Sequence, residues 1–314
     1  MDNELNVESK LTILETNIFY LLVGIILITI GSLAQRWDIY KGLIITEYAI
    51  VLLPVLIYLK IKRQSFKKVL RLNRLSLKQI LLIPIIVILS YPIGAFLNSI
   101  VMIFLSLFGE VKPMPIPVPD NGMELLRSLF VIALSAGICE EVMFRGLVMK
   151  GYEKLGKRKA IIFSAVLFGF FHFNVQNLLG PVFLGILFGY IVYKTNSIFA
   201  SMLAHFTNNA FALFLAFIVN RFNTGSNIPN NVPLNMSYTR LLIYGAIFLG
   251  AISLVTGIIA VMLLKKLPKS AEYTNLSIRD DDKDISNVLT AVESVPLVIT
   301  LIIFIIINIL RFRS

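Results

Sequence analysis

Long apolar stretches separated by short polar segments dominate the chain. Each stretch is close to the ~20 residues that a helix needs to cross a bilayer. They cover residues 16–34, 42–59, 80–108, 125–149, 160–173, 178–193, 198–219, 241–264 and 295–310. The fifth and sixth are short and nearly adjacent, so we expect their ends to be buried among neighbouring helices. The pattern predicts an all-α fold, a polytopic transmembrane helix bundle of eight or nine spans.

The charges of the loops predict the orientation of this bundle. The loop 60–78 contains no acidic residue, and 150–159 is also basic, whereas 110–121 has Lys112 as its only base. The bases of the first loop are Lys60, Lys62, Arg63, Lys67, Lys68, Arg71, Arg74 and Lys78. Basic loops remain in the cytoplasm. We therefore expect a cytoplasmic N-terminus and, with nine spans, a C-terminus on the outer side.

Three regions follow from the order of apolar and polar stretches. Residues 1–120 form an N-terminal transmembrane region of about three spans with the basic cytoplasmic loop. Residues 121–220 hold four spans and the polar residues described below, and we interpret them as a four-helix catalytic core. Residues 221–314 form a C-terminal transmembrane hairpin. Its polar linker, residues 265–287, mixes acidic and basic residues and is predicted to be flexible.

Composition narrows the class of protein. With 57% hydrophobic and 15% charged residues and a mean hydropathy of +0.83, the 314-residue chain is an integral membrane protein with lipids as its first partners. Its net charge of +11 lies in short loops that meet anionic lipid, so nucleic acid is not an expected partner. The single cysteine, Cys139, excludes an internal disulfide. The many Lys, Asn and Ile residues favour a bacterial plasma membrane.

Two adjacent carboxylates and an arginine lie inside the fourth apolar stretch. Residues four apart on a helix share a face, so Glu141 can pair with Arg145 while Glu140 points elsewhere. Charged side chains at membrane depth are costly and usually mark function. We interpret Glu140 as an unpaired carboxyl group available for acid–base chemistry. The alternative is a structural ion pair that only holds the cytoplasmic end of the helix to its neighbours.

Both histidines of the chain also fall in apolar stretches. His172 follows Phe168 by one helical turn, and Asn209 follows His205 by one turn. The rise of about 1.5 Å per residue places Glu140, His172, His205 and Asn209 at one level, in the cytoplasmic half or near the midplane. Histidines that only join helices by hydrogen bonds are the alternative.

The ordered motifs Glu140-Glu141-x-x-x-Arg145, Phe168-x-x-x-His172 and His205-x-x-x-Asn209 resemble the CAAX-protease and bacteriocin-processing family, also called the Abi or CPBP family. Its eukaryotic members are the Ras-converting prenyl-protein endopeptidases. The resemblance implies an intramembrane endopeptidase. It further implies that Glu140, aided by His172, activates water, that His205 and Asn209 stabilise the oxyanion, and that Glu141 and Arg145 order the site.

The sequence does not decide whether the proposed hydrolysis requires a metal ion. His172, His205 and Glu140 would form a ligand set that zinc accepts in hydrolases, but no His-Glu-x-x-His is present. We favour a reaction without a required metal. A buried thiol is normally inert, so Cys139 is not expected to be the nucleophile. Glu47 is interpreted as an interfacial or hydrogen-bonded helix residue outside the site.

The leading hypothesis is therefore hydrolysis of a membrane-associated or lipidated peptide or protein, such as a peptide precursor, reached from the membrane or the cytoplasm. A non-catalytic membrane scaffold or bacteriocin-immunity protein is the alternative that the resemblance also allows. A proton-coupled transporter would place Glu and His at mid-depth as well, but Gly180-Pro181 has no counterpart in a second half of the chain.

Overall fold

The computed structural model describes residues 11–109, 117–223, 238–270 and 288–313. All regular structure in these residues is helical, which confirms the predicted fold class. The long helices are α1 Ile13–Trp37, α2 Ile39–Ile61, α3 Leu77–Ser106, α4 Gly122–Leu155, α5 Lys157–Phe171, α6 Leu179–Thr195, α7 Ile198–Asn223, α8 Tyr238–Lys266 and α9 Ala291–Arg313. Most of the predicted linker 265–287 and part of the loop 110–121 lie outside the described residues.

Within the described ranges, eight helices are long and apolar enough to cross a membrane, so the protein is a multi-pass membrane protein. The exception is α5, which has 15 residues. Its length of about 22 Å is less than the ~30 Å of a hydrocarbon core. This helix corresponds to the fifth predicted stretch, and every predicted stretch falls on one of the nine helices.

The ends of the helices gather at two opposite faces of the bundle. At the first face, which we call the basic end, residues 60–78, 150–157, 194–197 and 264–270 meet. Arg71 forms an ion pair with Glu153 there, and Asn73 Nδ2 donates to the carbonyl of Asn196 at 2.6 Å. At the opposite end, Asn220 Nδ2 donates to Asp120 Oδ1 at 2.8 Å. Successive helices therefore run in alternating directions between these two ends.

Local sequence explains where the helices begin. Ser76 and Gln79 form a reciprocal capping box at the start of α3, and the side chain of Asn121 accepts from the backbone of Glu124 at the start of α4. Gly156 has a φ of +91°, a backbone conformation that other residues rarely adopt. It allows the chain to end α4 and begin α5 in a tight turn at the basic end.

The fourth helix is the centre of the bundle. Met143, Phe144, Leu147 and Val148 are fully buried in a cluster with side chains from α1, α2 and α5. Wide π-type turns at Leu129–Leu134 and Val142–Val148 interrupt its regular α-helical hydrogen bonding. Turns of this kind are frequent at functional sites, and here they lie on both sides of the segment that carries Glu140 and Glu141.

Candidate active site

A cavity of about 360 Å³ lies between α3, α4, α5, α6 and α7. Glu140 of α4, His172 after α5, and His205 and Asn209 of α7 all line it. The structure therefore brings the four side chains that the sequence proposed as catalytic to one place. Glu141 and Arg145, proposed as ordering residues, do not line the cavity and lie behind Glu140.

The pairing of Glu141 with Arg145 is present in the structure. Arg145 Nη1 donates to Glu141 Oε1 at 2.8 Å, and both side chains are fully buried. The guanidinium carbon of Arg145 lies 4.5 Å from the ring centre of Phe168 and 5.3 Å from that of Phe188. Among the described residues, Glu141 Oε2 and Arg145 Nε and Nη2 have no hydrogen-bond partner, so the two ring faces are the further groups that stabilise this cation.

His205 connects the two glutamates. Its Nδ1 lies 2.9 Å from Glu141 Oε1, and its Nε2 lies 3.8 Å from Glu140 Oε2. Since Glu141 already accepts from Arg145, the carboxylate is an acceptor and His205 Nδ1 carries the proton. The bond therefore sets the tautomer of His205 and turns its second nitrogen towards Glu140.

A glycine allows the two helices to approach so closely. A Cβ atom at Gly137 would lie 3.1 Å from the backbone nitrogen of Phe206, tighter than ordinary contact. Glu140 and Glu141 follow Gly137 by about one turn, and His205 precedes Phe206 directly. The absence of a side chain at Gly137 thus places α4 against α7 where the glutamates meet the histidine.

Among the described residues that line the cavity, Glu140 is the only carboxylate. Its side chain is 13% exposed, and among the described residues its Oε2 has no hydrogen-bond partner. A buried carboxyl oxygen without a donor is costly, and such groups are found where chemistry requires them. Glu140 is therefore available to accept a proton from a bound water molecule.

His172 has a defined orientation. Its Nδ1 lies 2.9 Å from the carbonyl oxygen of Phe168. A carbonyl can only accept, so Nδ1 is the donor and the neutral ring keeps Nε2 as an acceptor. The next residue, Phe173, has a φ of +46°, which is strained for a residue other than glycine.

The last helix holds this strained turn. Arg311 Nη1 of α9 donates to the carbonyl of Phe173 at 2.6 Å, and the backbone nitrogen of Val175 donates to Asn308 Oδ1 at 2.8 Å. These two bonds come from a helix that the sequence analysis placed outside the catalytic core. They stabilise the position of the turn that follows His172.

Asn209 is oriented by its neighbour. Asn208 Nδ2 donates to Asn209 Oδ1 at 3.1 Å. Because the oxygen is engaged as an acceptor, the amide nitrogen of Asn209 is the group that can donate to a ligand in the cavity. The side chain is thus suited to binding a negatively charged or carbonyl oxygen.

Sequence reasoning missed the contribution of α3. Tyr91 and Asn98 of this helix line the cavity, although they lie outside residues 121–220. Asn98 Nδ2 donates to Asn177 Oδ1 at 2.6 Å, and its Oδ1 accepts from the backbone of Gly180 at 2.8 Å. An asparagine in the apolar stretch 80–108 was a usable signal, because buried amides in membrane helices need partners.

The interpretation of Glu47 as an interfacial or hydrogen-bonded residue was wrong, whereas its expected position outside the site agrees with the cavity lining. Glu47 of α2 is buried, lies close enough to Glu140 for the two carboxyl groups to interact electrostatically, and has an Oε2 without a hydrogen-bond partner in the described part of the chain. It does not line the cavity. The apolar pattern of α2 gave no indication of the direction in which this side chain points.

Neither a metal nor a thiol reaction gains support from the geometry. In the ranges that the structure describes, no three His, Cys, Asp or Glu side chains are grouped so that they could hold one metal ion. The zinc set of His172, His205 and Glu140 is therefore not assembled, and no step below uses a metal. Cys139 is fully buried and does not line the cavity.

Comparison with known proteins gives a match to a family model. No curated protein and no solved structure matches the chain. A family model described as type II CAAX prenyl endopeptidase Rce1-like matches residues 122–211, less than a third of the chain. This range contains all six of the predicted site residues, while α3 and α9 lie outside it. Residues 122–211 are therefore similar to the Rce1-like family, which confirms the resemblance drawn from the motifs.

Proposed function

We propose that the protein is an intramembrane endopeptidase in which Glu140 activates water for hydrolysis of a peptide bond. The observation that carries the proposal is the cavity lined jointly by Glu140, His172, His205 and Asn209. The family match supports CAAX-type protease activity at the level of the family. Peptide hydrolysis needs a base, an activated water and an oxyanion site, and these side chains can supply them without a nucleophilic serine.

The base in this mechanism is Glu140. A water molecule in the cavity donates one proton to the Glu140 carboxylate as its oxygen attacks the peptide carbonyl. His172 Nε2, an acceptor in the neutral ring, accepts a second hydrogen bond from the same water and orients it. The proton held by Glu140 then passes to the leaving amine as the carbon–nitrogen bond breaks. General acid–base catalysis of this kind contributes about 10²–10⁴-fold to a rate.

The oxyanion is bound on the α7 side. Asn209 Nδ2 donates to it directly. His205 Nε2 can donate only when the ring is the imidazolium, because Nδ1 is already committed to Glu141. Glu141 and Arg145 act by positioning His205, because Glu141 Oε1 accepts from both Arg145 and His205. Each donor removed from an oxyanion site costs about 10²–10³ in rate.

The walls of the cavity support a peptide as the substrate. Its volume of about 360 Å³ is within the range of ligand pockets, which begins at about 300 Å³. Amide side chains of Asn98, Asn177 and Asn208 line it beside the catalytic groups. Such groups bind peptide backbone, so a membrane-associated or lipidated peptide or protein, such as a peptide precursor, is the proposed substrate. Lipids are the other partners, nucleic acid is not one, and no metal is required.

The test compares the membrane peptidomes of cells that produce the wild type or Glu140→Gln at equal levels. We expect a set of cleavage products in wild-type cells that is missing with Glu140→Gln. Glu124→Gln is the matched control, because Glu124 lies on the same helix, near its N-terminus, and does not line the cavity. A chelator added to wild-type membranes should leave the products unchanged.

If the substitution does not change the set of peptides, the non-catalytic alternative is favoured. If Glu140→Gln and wild-type cells release the same peptides, the endopeptidase proposal is wrong. A scaffold or bacteriocin-immunity protein would keep its phenotype with Glu140→Gln as long as the protein accumulates. Measuring immunity and protein level in the same cells separates the two functions.

A further inference from the structure

The cavity extends further towards one end of the bundle on three of the helices that line it. Its lining residues on α3 begin at Tyr91, at the middle of that helix, and end at Asn98, nearer the opposite end. On α5 they are Phe168 and His172, at the end that is far from Lys157. On α6 they run from Gly180 to Phe188, the part remote from Thr195 at the basic end. Glu140 of α4 and His205 of α7 lie in the halves of their helices nearer the basic end, and the cavity extends from this level towards the opposite end.

Packed apolar side chains lie between the cavity and the basic end. These residues have an exposure of 0% and come from three helices that also line the cavity. They are Ile83, Ile86 and Val87 of α3, Ile191 of α6, and Ala200 and Ala204 of α7. Protein interiors are packed as densely as organic crystals, so a layer of this kind leaves no path for a peptide or for a chain of water molecules.

Polar contacts close the basic end beneath this layer. Lys194 is 1% exposed, and its Nζ donates to the carbonyls of Leu264 and Lys265 at the end of α8. Gln79 Nε2 of α3 donates to the carbonyl of Pro268 at 3.0 Å. The chain that follows α8 is therefore bound across the bases of α3 and α6, directly below the apolar layer.

The net charge of the loops indicates which side of the membrane each end of the bundle faces. The loop 60–78 with its eight bases, and the basic residues Lys150, Lys154 and Lys157, all belong to the closed end. An excess of Lys and Arg in short loops marks the cytoplasmic side. The closed end is consequently the cytoplasmic one, and the end towards which the cavity extends faces the outer side.

We propose that the cavity opens on the non-cytoplasmic side of the membrane and receives peptide segments that are exposed at the outer membrane face. The substrate is then part of a secreted or membrane-anchored protein after its translocation, rather than a cytoplasmic lipidated C-terminus. This inference rests on the proposed endopeptidase function for the fate of the peptide. It differs from the access through the membrane or the cytoplasm expected from the sequence.

Thiol labelling of the full-length protein tests the direction of the opening. Cys139 is the only cysteine, so Cys139→Ala provides a background without thiols. In this background, Ala212→Cys probes the cavity, Met123→Cys the opposite end and Lys67→Cys the basic end. The reagent is a membrane-impermeant trimethylammonium methanethiosulfonate, applied to intact cells and to inverted membrane vesicles.

We expect Ala212→Cys and Met123→Cys to lose their free thiol in intact cells, and Lys67→Cys to lose it only in inverted vesicles. Modification of Ala212→Cys from the vesicle side, or from neither side, overturns the proposal. Leu184→Cys on α6 is a second cavity probe in case Ala212→Cys does not accumulate. The labelling needs no catalysis, so the direction of the opening is decided even if no cleaved peptide is found.

Discussion

Glu141 and His205 are joined by a hydrogen bond of 2.9 Å between Glu141 Oε1 and His205 Nδ1, and the same oxygen accepts from Arg145 at 2.8 Å. One buried carboxylate therefore neutralises the arginine and fixes the tautomer of the histidine. The second nitrogen of His205 is left facing Glu140. This relationship connects the ordering residues to the proposed chemistry.

Replacing Glu141 by Gln should affect both stability and activity. The substitution leaves Arg145 buried without a counter-charge, which typically costs about 3–5 kcal/mol. It also replaces the carboxylate that accepts from His205 Nδ1 by a neutral and weaker acceptor, so the orientation of His205 is less well fixed. We expect a lower midpoint in thermal unfolding and a reduced kcat for the folded fraction.

The matched control for Glu141→Gln is Lys154→Met. This substitution breaks the ion pair between Lys154 Nζ and Glu293 Oε1, which lie 2.6 Å apart, and the Lys154 side chain is about half exposed. Exposed pairs contribute about 0–1 kcal/mol, so this variant should unfold close to the wild type. Equal loss of stability in the two variants would contradict the assigned role of Glu141.

Replacing Glu140 by Gln should separate activity from stability. Because Glu140 Oε2 has no hydrogen-bond partner among the described residues, the amide breaks no contact at that atom. We expect a change in the free energy of unfolding of less than about 1 kcal/mol. The cleavage rate should fall by about 10²–10⁴-fold, which is the usual contribution of a general base. A variant that retains wild-type kcat would exclude Glu140 as the base.

A larger residue at position 137 should push α4 and α7 apart. In Gly137→Ala, the added Cβ lies 3.1 Å from the backbone of Phe206, so α7 must shift. Overpacking of this kind costs about 1–3 kcal/mol and here should also lower kcat by moving His205 away from the glutamates. Thermal unfolding and cleavage rates measure the two effects.

Gly245→Ala of α8 is the control for this variant, because a Cβ there meets no atom within 4 Å. Alanine is the better helix former by up to about 1 kcal/mol, so this protein should be as stable as the wild type or more so. If Gly137→Ala behaved in the same way, close approach of α4 and α7 would not be needed at the site.

The last helix should influence catalysis through His172. Asn308→Ala removes the acceptor for the Val175 backbone nitrogen, and a lost hydrogen bond of this kind costs about 1 kcal/mol. We expect faster hydrogen exchange in residues 173–177 and a lower kcat, with KM unchanged because the cavity walls remain.

The adjacent Ile309 is about half exposed, so Ile309→Ala provides a control on the same helix. Arg311→Lys keeps a donor for the Phe173 carbonyl and should retain more activity than Arg311→Leu. Equal kcat values for all four variants would show that α9 contributes only to the stability of the bundle.

Much of the fold follows from the sequence alone. Each apolar stretch falls on a helix of the structure, because the ~20-residue length and the lack of charge are properties of a single segment. The pairing of Glu141 with Arg145 also follows, since residues four apart share a helix face whatever surrounds them. The ordered motifs were sufficient for the family resemblance, and the family model matches that same region.

Other features were decided only by the tertiary structure. Examples are the bond from Glu141 to His205 across 64 positions, the proximity of Glu47 to Glu140, and the placement of Asn98 in the cavity wall. In a membrane, lipid tails are as apolar as the interior of the bundle, so hydropathy does not reveal which face of a helix is turned inward. Small side chains, buried polar groups and the fit between helices determine that rotation, and with it which end of the cavity is closed.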